Sequence, residues 1–174
     1  NNQREFAVHV LKQMGYDFEA GRLDDTIHPF EITLNLQDVR ITTRYDENDF
    51  RMAVFGIIHE GGHALYEQNI NPELARTPLA SGTSMGIHES QSLFWENMIG
   101  RSRDFWRTNY ETFKQYAPDF LQALETEQFY KAINTVSPSL IRIEADEMTY
   151  PLHIMIRYEL EKALISDEIK VKDL

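Results

Sequence analysis

Between Asn2 and Met14 the apolar residues Phe6, Val8, Val10, Leu11 and Met14 recur at near-helical intervals, and Gly15 follows where a C-cap belongs. The spacing predicts a first helix that ends there. After Pro29 the rhythm changes. From Phe30 to Arg44, Ile32, Leu34 and Leu36, then Val39, Ile41 and Thr43, alternate with polar residues, as half-buried strands do. A hairpin or small sheet is expected. Beyond Asp49 the pattern is helical for most of the chain, with breaks at Asn71-Pro72, between Pro78 and Gly86, at Pro118 and at Ser137-Pro138. Glu168 to Leu174 alternates like a strand without a partner, and the first residue is not methionine, so a segment of something longer is expected. No repeat, low-complexity tract or composition shift divides the 174 residues, which are read as one unit, 1–174.

Phe50 to Asn69 reads FRMAVFGIIHEGGHALYEQN, in which Met52 to Ile58 is apolar all round, so this helix should be buried. Charged groups inside it then need a reason. His59 and His63, four apart, project from one face and can reach a single ion, with Glu60 beside them. In this H-E-x-x-H arrangement two imidazoles bind zinc and the glutamate is general base toward a metal-activated water. Two histidines merely satisfied in a core are the alternative; spacing, glutamate and apolar setting together favour the metal. Gly61 and Gly62 cost roughly 1 kcal/mol each relative to alanine in a helix, which points to a substrate or a crossing helix close to that backbone.

A catalytic zinc takes three protein ligands and keeps one position open. Tyr66 and Asn69 stand where the metzincin pattern needs glycine and histidine, so that class is excluded. A glutamate on a later helix is the remaining common solution. Glu89 lies in GIHESQSLFWENMIG, where a helix should start after the Ser81 to Gly86 loop, and Glu96 shares its face two turns on. Periodicity does not decide between them, and His88 is expected to point elsewhere.

Composition narrows the chemistry further. There is no cysteine, so disulfides, thiolate zinc sites and cysteine nucleophiles are excluded, any metal must be held by nitrogen and oxygen, and a cytosolic setting is expected. A formal net charge of -11 with no basic stripe argues against a nucleic-acid partner. No apolar run reaches membrane length, and NNQREF lacks the features of a signal peptide, so no membrane partner is expected.

These residues closely resemble the M32 carboxypeptidases, also called the thermostable carboxypeptidase family. The blocks that carry the likeness are HPF at His28 to Phe30, DVRIT at Asp38 to Thr42, HEGGH at His59 to His63, HESQ at His88 to Gln91 and IRIEAD at Ile141 to Asp146. The resemblance implies a mainly α fold, a helical zincin-like peptidase core with a small β-sheet or hairpin. It further implies a cytoplasmic metallocarboxypeptidase that binds zinc, cobalt or another divalent ion, acts on peptides with a free C-terminus and often forms homodimers. It also implies Glu89 as third ligand. Family members are several hundred residues long, and a final block of GxxQDxxW type is not found here, so the chain resembles the central part of such an enzyme.

Oxyanion stabilisation calls for donors beside the metal. In EADEMTYPLHIMIRYELEKAL, read as a helix, Asp146, Tyr150, His153 and Arg157 share a polar face that either looks into a groove or is solvated, with Arg157 paired to Glu161. Pro151 disturbs that helix unless it begins nearby. Asp146 is alternatively a carboxylate that orients a zinc histidine. A free C-terminal carboxylate is best read by arginine, with Arg142 and Arg40 as candidates. The resemblance favours Arg142; the alternatives are a pair with Asp146 for Arg142 and a sheet-bracing role for Arg40. His28 and Phe30 are candidates for shaping the site. Phe105, Trp106, Tyr110, Phe113, Tyr116 and Phe120 form an aromatic stripe, read as core. The competing functions are an endopeptidase or oligopeptidase with the same zinc site, and a non-catalytic module with a structural metal.

Overall fold

The computed structural model describes residues 2–174, Phe120 by its backbone alone. Packing divides the chain into two compact units, Asn1–Tyr130 and Lys131–Leu174, where composition shows no boundary. Helix α1, Asn2–Met14, buries Phe6, Ala7, Val10 and Leu11, the face that a 3.6-residue period brings together. It ends in a Schellman turn: Gly15 takes a φ of 95°, and the amides of Tyr16 and Gly15 donate back to the carbonyls of Leu11 and Lys12.

Three short strands follow, β1 Leu23–Asp25, β2 Glu31–Asn35 and β3 Asp38–Thr43, in the order β1-β3-β2. The expected hairpin is β2 against β3, antiparallel, with Glu31 opposite Ile41, while β1 adds in parallel with Leu23 opposite Ile41. Strand β1 escaped the alternation pattern because it offers one apolar residue, Leu23, before two aspartates. Val39, Ile41 and Thr43 turn the same face of β3 to the core and are fully buried.

The centre of this unit is α2, Ile57–Gln68, which continues a π-helical turn at Met52–Gly56. It packs on α1, on β3 and on α3, Met85–Leu93. Ser84 caps α3 by accepting from the Ile87 amide at 3.2 Å, and the helix runs on as a π-helical stretch over Phe94–Gly100. The glycine pair has a physical cause. A Cβ on Gly62 would lie 2.7 Å from Ser92 Cα, and one on Gly61 would lie 2.9 Å from Leu11 Cδ2. Crossing helices approach on both sides, which settles that side of the alternative drawn from sequence.

Helix α4, Arg103–Lys114, buries Trp106, Tyr110 and Phe113 against Phe129 of α5, Thr126–Ile133. The Trp106 and Phe129 rings are 4.6 Å apart, and the indole N–H donates to the Gly100 carbonyl at 2.8 Å. The aromatic stripe is therefore core at these positions; Phe105 and Tyr116 are half-buried, and the Phe120 side chain lies outside the described residues.

In the second unit the main element is α6, Tyr150–Ile165, with Pro151 in its first turn, where a missing amide is harmless. No described side chain between residues 131 and 174 is buried. Two expectations are corrected here. The alternating tail is no strand: Val171–Asp173 closes as a 3-10 turn with the Lys170 amide donating to Asp173 at 3.0 Å. Asp146 is not on the helical face of Tyr150, His153 and Arg157, because the helix starts after it. Among the described residues no helix is long and apolar enough to cross a membrane.

Candidate metal centre

Helix α2 carries His59 and His63 side by side, their rings 5.0 Å apart, and α3 crosses above them with Glu89. One Glu89 oxygen, Oε2, lies 3.2 Å from His63 Nε2 and 3.6 Å from His59 Nε2. Ligand atoms of these three residues fall within 4.8 Å of one another, the cluster among the described residues that can hold a metal ion. Ser92 steadies the carboxylate, its hydroxyl 2.7 Å from the Glu89 carbonyl and 3.2 Å from Oε2. Two imidazoles and a carboxylate form a nitrogen and oxygen donor set suited to zinc and its neighbours.

The electrostatics favour positive charge here. Burial works to lower the His59 pKa, but the carboxylates of Glu89 and Glu96 outweigh it and raise it to about 10. The same two imidazoles hold Glu89 well below the usual carboxylate range against the effect of burial. Glu60, one residue past His59 and almost fully buried, is pushed up by desolvation, which the neighbouring histidines only partly offset. No hydrogen bond or ion pair ties its carboxylate among the described residues, so it is available to take a proton.

The two glutamates left open by periodicity both reach His59, from opposite ring nitrogens. Glu89 faces Nε2, while Glu96 Oε2 sits 3.0 Å from Nδ1 and its other oxygen accepts from Arg101 at 3.1 Å. The π-helical stretch that carries Glu96 brings this rival behind the imidazole. Arg101 in turn lies 4.0 Å over the Phe55 ring. His88 does not point away: its Nδ1 is 2.6 Å from His63 Nδ1, and its Nε2 is 2.7 Å from Glu67. Glu67, Arg101 and Ser92 were not singled out from sequence. The available signal was a second charged residue, Glu67, four positions after His63 on a helix that should be buried.

The remaining candidates are distributed differently. Arg40 on β3 accepts no role at this cluster; its guanidinium donates to Asp38 at 2.7 and 2.8 Å, a pair across one strand face. His28 is exposed and Phe30 is 46% exposed beside it. Within the second unit, Arg142, His153 and Arg157 line one groove of about 430 Å³, with Ile156, Leu160 and Glu161. Arg142 pairs with the Tyr150 hydroxyl at 2.8 Å rather than with Asp146. Asp146 instead accepts from the amides of Ser137, Met148 and Thr149 at 2.9 to 3.0 Å, bonds that anchor the approach to α6.

Two imidazoles on a buried helix, met by a carboxylate from the helix that crosses it and with a protonatable glutamate alongside, are the equipment of metal-dependent hydrolases. The chain belongs to the family described as carboxypeptidase Taq (M32) metallopeptidase, whose model matches residues 1–174. Carboxypeptidase 1 of Bacillus subtilis is 57% identical over 172 residues, which are 99% of this chain and 34% of that protein. Thermostable carboxypeptidase 1 of Thermus thermophilus is 51% identical with the same coverage. The crystal structure of an M32 carboxypeptidase from Deinococcus radiodurans matches with a TM-score of 0.95 at 47% identity, over 99% of this chain and 35% of that one. The chain thus spans about a third of the length of these relatives.

Proposed function

We propose that the protein is a metal-dependent carboxypeptidase, with His59, His63 and Glu89 as ligands of one zinc ion, cobalt being the alternative, and Glu60 as general base. The observation that carries the reading is the convergence of two Nε2 atoms on a single Glu89 oxygen beside a buried glutamate, Glu60, that no hydrogen bond or ion pair among the described residues engages. When bound, the ion supplies a Lewis acid that acidifies water and polarises a carbonyl. Glu60 accepts the proton of the attacking water and delivers it to the departing amine, a task matched by its upward-shifted pKa. His59 and His63 are kept in orientation by the partners on their Nδ1 atoms.

Selectivity for a free C-terminus requires a cation that meets the terminal carboxylate. Arg142 is the proposed anchor, with Tyr150, His153 and Arg157 as further contacts from the groove they share or adjoin. A peptide substrate follows from the family names; a cytoplasmic setting and a homodimer are part of the same proposal. The test uses the full-length, zinc-loaded protein on one peptide as its free acid and as its C-terminal amide. The free acid should shorten one residue at a time while the amide resists. Equal internal cleavage of both would replace this reading by an endopeptidase with the same site, and no cleavage of either by a non-catalytic metal module.

A further inference from the structure

We propose that His88 and Glu67 are positioning residues for His63, forming a one-way chain of hydrogen bonds, from His63 through His88 to Glu67 as final acceptor, that fixes which nitrogen of His63 faces the metal. This inference rests on the metal-ligand reading above. His63 Nδ1 and His88 Nδ1 stand 2.6 Å apart, so one must carry the hydrogen and the other accept it. His63 turns Nε2 to Glu89. A ligating Nε2 carries no hydrogen, so the neutral ring carries it on Nδ1, and His63 is the donor. His88 then accepts on Nδ1 and bears its own hydrogen on Nε2, where Glu67 Oε1 receives it at 2.7 Å.

The outer end of the chain fixes this polarity. Glu67 is 4% exposed, and the oxygen that faces His88, Oε1, already accepts from the Gly82 amide at 2.9 Å, so it meets His88 as an acceptor too. In the other tautomer, His88 would aim a bare nitrogen at that carboxylate and an N–H at the N–H of His63. The loop that supplies the Gly82 amide is shaped to the pair: a Cβ there would lie 2.5 Å from His88 Cδ2 and 3.1 Å from Glu67 Oε1. The His88 ring cannot swing aside, because both of its nitrogens are engaged. His59 differs, since Glu96 holds its Nδ1 directly. One ligand is thus backed by a charge, and the other by a neutral ring whose orientation is imposed one step further out.

The experiment measures zinc dissociation constants of the full-length protein by competition with a chromophoric chelator, alongside thermal unfolding of the zinc-free forms. His88→Phe keeps a flat ring without an acceptor and should weaken zinc by about 10- to 100-fold. His88→Asn sets its Oδ1 where Nδ1 stood and should recover most of that loss. Gly82→Ala removes no polar group, yet should weaken zinc by displacing His88. The two His88 variants should unfold at similar temperatures without zinc, so that their difference in affinity reports orientation and not folding. Wild-type affinity in both His88→Phe and Gly82→Ala, or equal weakness in His88→Phe and His88→Asn, would overturn the inference. Zinc binding that survives His63→Ala unchanged would instead overturn the ligand reading on which it rests.

Discussion

Helices α2 and α6 each present two nitrogen-bearing side chains four residues apart, His59 and His63 on one, His153 and Arg157 on the other. The spacing is identical and the outcome is not. On α2 both rings are held at both nitrogens, by Glu89 and Glu96 for His59 and by Glu89 and His88 for His63. The rest of that helix is wedged between α1, α3 and the sheet. On α6 the pair lines an open groove, and Met155, Ile156 and Tyr158 are each about 60% exposed. Periodicity tells which side chains can converge; burial and hydrogen-bond partners decide whether they are fixed.

That contrast can be broken by mutation. The largest effect is expected on α2, where Glu60→Gln preserves shape and removes the proton acceptor. Turnover by the full-length protein should fall by about 10²- to 10⁴-fold with zinc content unchanged. Loss of zinc together with activity would make Glu60 a contributor to the metal site instead. A smaller effect is expected from Arg142→Ala, which leaves a substrate carboxylate without its partner. kcat/KM for free-acid peptides should drop by at least about 2 kcal/mol, near 30-fold, with little change for amides. Arg40→Ala is the contrasting control, expected to leave the preference for free acid over amide where it was. Its guanidinium is already engaged by Asp38 on a solvated strand face, which holds that carboxyl below its ordinary pKa. If the two arginines exchange these phenotypes, the carboxylate anchor lies on β3.

Much of this was legible in the chain itself. The helix of residues 2–14, strand β3 and the buried helix of the histidines follow from apolar spacing, because each packs apolar residues into a common core. Strand β2 pairs with β3 as expected but leaves Ile32 and Leu34 exposed, so its alternation marks the strand and not its buried face. Strand β1 was not legible, since a three-residue edge strand with two aspartates is held by pairing with β3 and not by its own pattern. Nor was the role of His88. A regular helix turns it away from Glu89, but the imidazole of His63 reaches back to meet it, a contact set by how α3 crosses α2 at Gly62. The choice between Glu89 and Glu96 failed on periodicity for a related reason. Both serve the same imidazole, and only the crossing helix decides which nitrogen each one meets. The C-terminal tail misled because alternation needs a partner strand before it becomes structure.

The central claim is that one divalent ion sits among His59, His63 and Glu89. An anomalous-scattering map at the zinc edge, from crystals of the full-length protein, tests it most directly. The expected result is a single strong peak per chain, in bonding contact with Nε2 of His59, Nε2 of His63 and a carboxylate oxygen of Glu89, with Glu60 beside it but not bound. A peak held by other residues, or none touching these three, would contradict the account.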